Sequence, residues 1–366
     1  MSGNTDGSIN PFQTVLCRCV ICEQDARFSR LKSTLYTETK RDIDLRPITV
    51  LWSKKVSPRV DPKLFYFWQC PHCSFTADHQ FFTAPFKDGS MSVGRFRRLF
   101  HKAKEATPSY LEVVHGLRID PSKEKSVFIS GLKLNLLAIF SLEMIEEISK
   151  GDSLMLASYY LRLAWMMRDL RHLRDKNPQV YESAKTLISQ LQKSWPKLSL
   201  IESDNLQVAL RYYQQALLKS HSINTMLSEI QVRLVIARIF LKTGKLPEAK
   251  RCLIESKSKV NSYDMIFKKK TKEKGSFSEQ EIQDMETALG KAQTLLATVE
   301  QIYERIESMM IEKQVQEAQL LLRGLRDKTY EEKLALLQSK GVAQPIIEKA
   351  LPSPKKKGLI DLLKSS

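Results

Sequence analysis

Cysteine is the residue type in this chain whose spacing most directly implies chemistry. Cys19 and Cys22 form one Cys-x-x-Cys pair in "CRCVIC", and Cys70 and Cys73 form another in "FWQCPHCSF". Two short knuckles of this kind supply the four soft donors that a tetrahedral zinc ion accepts. The expectation is one structural Zn2+ per chain, held by Cys19, Cys22, Cys70 and Cys73, with no coordination position left for a water or a substrate. Such a metal organises a fold and activates nothing. Cys17, beside the first pair, and His72, inside the second, could each replace one of these ligands. Cys17 also reads as a small packed residue and His72 as an exposed turn residue. Cys252 lies far downstream in a helical stretch and reads as core. Six cysteines, four of them paired in this way, suit a reducing compartment better than a disulfide framework.

For the two knuckles to meet, the chain between them must double back. Residues 23–69 contain "RPITVLW" and "KLFYFWQC", rich in β-branched and aromatic residues, which read as strands of a β insert. Residues 14–125 therefore read as a zinc-ribbon-like domain, preceded by a disordered N-terminus at 1–13. From residue 126 the apolar residues recur at three and four, as in "SGLKLNLLAIFSLEMIEEISKG", where Leu132, Leu136, Ile139, Phe140 and Glu143 share a broad buried face and Gly151 supplies a stop. A second helix runs to Asn177 and Pro178, and a third occupies about 179–195. On the second, Arg162 and Arg168 flank Trp165, where they either snorkel at the core edge or face a ligand.

Next, "ALRYYQQAL" sets Ala209, Tyr213 and Ala216 at the small, aromatic, small spacing of a tetratricopeptide helix. "IARIFLKTGKLPEAKRCL" then supplies Ala237, Phe240, Gly244, Ala249 and Leu253 in the matching helix, turn, helix pattern. Residues 126–263 read as a tetratricopeptide-like helical domain, the earlier helices serving as degenerate or capping units. A charged loop is expected at 264–277, around "KKKTKEKG". C-terminal helices follow at 278–351: Ser278 and Glu281 make a capping box for a long helix, and Thr329 and Glu332 make another for a helix ending at Gly341. Gly290 and mixed apolar spacing make a poor heptad, so the long helix is expected to pack back on the repeats rather than to pair between chains. Residues 352–366 read as a flexible basic tail ending in the amphipathic Leu359, Ile360, Leu362 and Leu363. The expected fold class is α+β, mainly α: a zinc-ribbon-like β-rich N-terminal domain, a tetratricopeptide-like repeat domain and a long C-terminal helix.

Several of these pieces together resemble a bacterial group, domain-of-unknown-function family 2225. The resemblance rests on "CVIC", on "RDIDLRP" around Asp42 and Asp44, on "FYFWQCPHC", and on "YLRLAWMMRD" from Tyr160 to Asp169, in the same order over about the first 260 residues. It implies a cysteine-paired N-terminal region joined to a helical repeat region, with the four cysteines as ligands, and it implies no reaction. The glycine that usually follows each knuckle is replaced here by Glu23 and Ser74.

The formal net charge of +17 is spread along the chain and favours an acidic partner: RNA, DNA, an anionic membrane surface or an acidic protein. There is no phosphate-binding Gly-rich loop, no His-Glu-x-x-His helix and no Gly-x-Ser-x-Gly elbow, so a non-enzymatic protein is expected. No run of about eighteen uninterrupted apolar residues occurs and the start is polar, so neither a transmembrane segment nor export is expected, and the address is cytoplasmic. A repeat stack presents a surface for a protein or peptide partner, which is the leading expectation. The alternative is nucleic-acid binding through "GRFRRLFHKAK", where Arg95, Arg97, Arg98, Lys102 and Lys104 interleave with Phe96 and Phe100. On a helix those aromatics fall on one face, the mark of ordinary core packing.

Overall fold

A computed structural model of the 366-residue chain describes residues 8–85, 92–119, 126–149, 153–218, 223, 225–272, 278–323, 325 and 328–352. The start of the N-terminal segment, Gly151 and the basic tail beyond residue 352 lie outside the described residues. Three antiparallel hairpins open the fold: β1 (Phe12–Arg18) with β2 (Asp25–Leu31), β3 (Tyr36–Arg41) with β4 (Pro47–Trp52), and β5 (Phe67–Gln69) with β6 (Thr76–Asp78). In β2 the side chains alternate as strand geometry dictates, burying Ala26 and Phe28 and exposing the residues between.

The stretch "KLFYFWQC" is less extended than its composition suggests. Pro62–Phe65 forms a 3-10 turn, because the Asp61 carboxylate accepts a hydrogen bond from the Lys63 N–H and Pro62 fixes the first residue, and only Phe67–Gln69 remains as strand. At the tip of β3–β4 the Leu45 N–H donates to the Asp42 carbonyl, and Leu45 takes a φ of +70°. That conformation is an outlier for a bulky residue.

Twelve helices follow among the described residues. The first six are α1 (His79–Thr83), α2 (Val93–Ala106), α3 (Tyr110–Leu117), α4 (Val127–Ser149), α5 (Ser153–Lys176) and α6 (Pro178–Leu191). The second six are α7 (Glu202–Leu218), α8 (Met226–Lys242), α9 (Leu246–Lys272), α10 (Glu279–Arg323), α11 (Tyr330–Ser339) and α12 (Gln344–Ala350). Their starts are where short polar side chains can accept the first free N–H groups: Ser92 for α2, Asn177 followed by Pro178 for α6, and capping boxes at Thr225–Ser228, Ser278–Glu281 and Thr329–Glu332.

α4 is apolar nearly all round because it is the central helix, packed against α2, α3, α5, α6, β5 and β6. By length and composition it could also cross a membrane, but most of it is buried inside this fold. Gly131 lets it approach the 3-10 turn: a Cβ there would sit 3.0 Å from the Leu64 side chain and 3.1 Å from its Cα. One continuous apolar core runs from Cys19 through α4 and α5 to Tyr303 of α10.

In the second half α7 lies along α5, α8 along α9, and α10 covers α8 and α9. Ala209, Tyr213 and Ala216 are all buried, as their small and aromatic spacing requires for close helix approach. The turn between α8 and α9 closes with the Lys245 N–H donating to the Phe240 carbonyl and Gly244 at φ +74°, a conformation glycine reaches without cost. α9 continues through residues 264–272, where the sequence suggests a loop. Long straight side chains suit a helix, and Lys268 pairs with Asp264 at 2.6 Å one turn earlier. The first half of α10 packs back on α8 and α9 through Leu289, Leu296 and Val299. Its far end joins α11 and α12 in a separate small cluster around Ala318, Leu337 and Ile347.

Candidate metal centre

Each Cys-x-x-Cys forms the turn of a hairpin. The first knuckle fills the bend between β1 and β2, closed by Glu23 N–H to Cys19 O and Cys19 N–H to Gln24 O, both at 3.0 Å. The second repeats this between β5 and β6, with Ser74 N–H to Cys70 O at 2.9 Å and Cys70 N–H to Phe75 O at 2.8 Å. Glu23 and Ser74, the residues that follow the two knuckles, take φ of 58° and 61°. The knuckle turns therefore carry the strain of two side chains in the left-handed region, which glycine would occupy without cost.

The hairpins bring the thiols of Cys19, Cys22, Cys70 and Cys73 together, every pair of sulfurs lying within 4.8 Å. Cys19 Sγ and Cys73 Sγ are 3.7 Å apart, and Cys22 Sγ and Cys70 Sγ 3.6 Å. A tetrahedral ion with metal–sulfur bonds of about 2.3 Å sets its sulfurs about 3.8 Å apart, so the donor set fits such an ion. The Ile21 N–H points at Cys19 Sγ at 3.4 Å, a contact that favours thiolate.

Without a cation these sulfurs must share protons. Hydrogen bonds from Cys19 and then Cys73 push Cys70 far below the usual thiol range. The same contact with Cys70 pushes Cys19 up to about 11, and contacts with Cys19 and Cys70 push Cys73 higher still. One thiolate stabilised by its neighbours' protons is the arrangement expected when like charges crowd, and a metal ion would displace the remaining protons.

Neither alternative ligand joins the group. Cys17 lies on β1 opposite Ala26, its thiol pushed up by burial, and the His72 ring nitrogen Nε2 is 3.3 Å from the Asp25 carbonyl oxygen. The floor of the centre is aromatic: Phe28 stacks on Trp68 at 4.8 Å, and Phe75 meets Phe96 and Phe100 of α2 edge to face.

That packing decides what the basic stretch on α2 can do. Phe96 and Phe100 are 3% and 2% exposed, so they are not available to stack on bases. Arg97 pairs with Glu23 at 2.9 Å and donates to the Val20 carbonyl at 3.0 Å, bracing the first knuckle. Arg95, Arg98, Lys102 and Lys104 remain exposed, and Lys104 reaches over the Tyr110 ring.

A second polar centre joins the hairpins to the helices, and its partners were not evident from the sequence. Arg168 on α5 donates to both oxygens of Asp44 at 3.2 and 2.5 Å, to Asp42 at 2.6 Å and to Glu202 of α7 at 2.8 Å. Asp42 also receives Lys242 of α8 at 2.9 Å, and Asp169 binds Arg46 and Lys63. Burial pushes Asp42 up, but the Lys242 hydrogen bond and the Lys242 and Arg168 charges outweigh it and leave its carboxyl below the usual range. Burial likewise opposes the Arg168 charge, and its bonds to Asp44 and Glu202 reverse that effect.

Arg162 lies over the Tyr66 ring, 3.4 Å from its centroid, and the Tyr159 hydroxyl donates to Asp78 at 2.9 Å. Arg162 and Arg168 therefore both face the hairpin region. The only advance sign was the alternation of acid and base in "RDIDLRP" and the "RD" ending "YLRLAWMMRD". These two motifs meet in space.

A family model described as an uncharacterized protein conserved in bacteria (DUF2225) matches residues 14–286. Neither a curated protein nor a solved structure matches the chain.

Proposed function

Since this chain belongs to the uncharacterised bacterial family DUF2225, we propose for it a non-enzymatic role as a cytoplasmic, zinc-stabilised interaction module. The observation that carries the reading is the closed set of four cysteine sulfurs. Tetrahedral all-thiolate coordination suits zinc, an ion with no redox chemistry of its own, and four protein ligands leave it no open position. Bound there, zinc would join two hairpins that are too small to stand alone. Support for a binding role comes from the tetratricopeptide-like pairing of α8 with α9 and from exposed apolar residues on α10. Met309 and Leu320, and likewise Met310 and Leu321, stand about three turns apart and so share a side of the helix. Glu312, Lys313, Gln316 and Glu317 stand between them on that side, so each pair offers two separate apolar anchors set among polar residues.

A nucleic-acid reading keeps one favourable observation, the exposed cations Arg95, Arg98, Lys102 and Lys104. They would hold phosphates without stacking bases. Affinity capture from the native host, with and without nuclease, separates the readings when wild type is run beside a Met310→Lys, Leu321→Lys variant. The expected result is a stoichiometric protein partner that survives nuclease and is lost in the variant. Recovery of nucleic acid, with binding lost on reversing Arg95, Arg98 and Lys102, would overturn the reading in favour of the second.

A further inference from the structure

Between the β3–β4 hairpin, α8 and α10 lies an open cleft of about 610 Å³, within the range of small-molecule sites. One wall carries Arg238 of α8, which is 7% exposed. A guanidinium so deeply placed ordinarily has a carboxylate partner. Here the NH1 group donates to the Ile43 carbonyl at 3.1 Å, and among the described residues no carboxylate forms an ion pair with Arg238. Burial pushes its pKa down and the neighbouring Arg41 charge pushes the same way, against a weaker pull from Asp44. The site carries more positive charge than its own residues neutralise.

The acidic groups nearby are already engaged. Asp44 gives both carboxylate oxygens to Arg168, Asp42 is shared by Arg168 and Lys242, and Glu38 pairs with Arg41 at 2.8 Å. Arg305, on the α10 wall of the same cleft, is exposed and makes no ion pair among the described residues. Two guanidinium groups therefore face one cleft with no counter-charge assigned to them. Beside Arg305 on α10, Ile302, Ile306 and Met309 give the cleft an apolar side. The strained Leu45, at φ +70°, lines the hairpin edge, and strain of that kind collects where a ligand or a partner must be met.

We propose that this cleft binds a small organic phosphate, its phosphoryl group taken by Arg238 and Arg305 and its apolar body lying along Ile302, Ile306 and Met309. A phosphate monoester carries a charge of about −1.5 to −2 near neutral pH, which matches two unpaired guanidinium groups, and arginine is the side chain whose planar fork fits it best. The site is independent of the metal centre, and it shares Met309 with the protein-contact side of α10 proposed above.

The test uses the full metal-loaded chain with phenyl phosphate, inorganic phosphate and phenol as probes in isothermal titration calorimetry. Phenyl phosphate is expected to bind saturably and about tenfold tighter than inorganic phosphate, with phenol not binding. Arg305→Ala, at an exposed helix position, is expected to keep the wild-type melting temperature and to weaken phenyl phosphate about tenfold or more. Arg305→Lys should recover part of that loss. The proposal is overturned if phenyl phosphate shows no saturation by about 10 mM, beyond the weak end of specific binding. It is equally overturned if Arg305→Ala binds as wild type does, or if Arg323→Ala, at the far end of α10, loses as much, which would mean only general charge attraction.

Discussion

Two polar centres hold distant parts of this chain together, and they differ in where the balancing cation comes from. At Arg168 the protein supplies both signs: three carboxylates from a hairpin tip and from α7 close on one guanidinium, with Lys242 as a second cation. At the four cysteines it supplies only donors, whose sulfurs lie within 4.8 Å of one another and would take their balancing charge from a bound ion. The first centre is complete once the chain is folded, whereas the second, on the reading proposed above, would be completed by a metal. If a metal fills the cysteine set, the knuckle hairpins would depend on an outside ion, while the hairpin-to-helix junction would not.

Removing the metal should produce the largest effect. The apparent binding energy of four-ligand zinc sites, roughly 10 to 16 kcal/mol, equals or exceeds the whole stability of an ordinary domain. Chelation under reducing conditions, or Cys70→Ser, is expected to abolish hydrogen-exchange protection in β1, β2, β5 and β6 while α7, α8 and α9 stay protected. Loss of protection that is even across the chain would erase the distinction between the two centres.

Breaking the other centre should cost less but act at the junction. Arg168→Met leaves Asp42, Asp44 and Glu202 without their shared cation, and such a loss costs about 3 to 5 kcal/mol in urea unfolding. Arg168→Lys should recover little, because a single ammonium cannot bond both Asp44 oxygens in the way the fork does. Wild-type stability in either variant would show the cluster to be incidental.

Packing between the same two regions offers a milder test. Gly131→Ala pushes a methyl group against the Leu64 Cα and Cβ as well as its Cδ2 and should destabilise by about 1 to 3 kcal/mol in urea unfolding, and Leu64→Ala in the same chain should relieve only the Cδ2 share, since Cα and Cβ stay in place. Wild-type stability in Gly131→Ala would mean that the close approach does not matter.

Acid should distinguish the centres again. The Asp42 carboxyl sits below its unfolded value of about 3.9, so its contribution is fully present above that pH and is lost as pH falls through the lower folded value. In wild type the stability is expected to fall across that window, and Asp42→Asn should flatten the slope. An unchanged slope would assign the acid sensitivity to other groups.

The smallest effect belongs to the far end of α10. Thr329→Ala removes the cap of α11 and should cost about 1 kcal/mol. The loss should stay within the cluster of Ala318, Leu337 and Ile347, leaving both polar centres protected in hydrogen exchange.

What the sequence made legible follows the same division. The four thiols could be read because two residues between paired cysteines already define a knuckle, and because the strand-rich insert could return the second pair to the first. The caps at Ser278 and Thr329 and the small-residue spacing of α7 were legible for the same local reason. The Arg168 cluster was not, since its partners lie 124 and 126 residues away and no local periodicity announces them. Composition also misled in two places. Pro62 and Asp61 turn an apparent strand into a 3-10 turn, and the lysine run after residue 267 extends α9 because a charged surface is as compatible with helix as with loop.

On the proposed reading, one zinc ion per chain sits among Cys19, Cys22, Cys70 and Cys73. Elemental analysis of tag-free protein purified under reducing conditions tests it most directly. One zinc per chain is expected in wild type and none in Cys70→Ser. A value near zero in wild type, or iron in place of zinc, would contradict it.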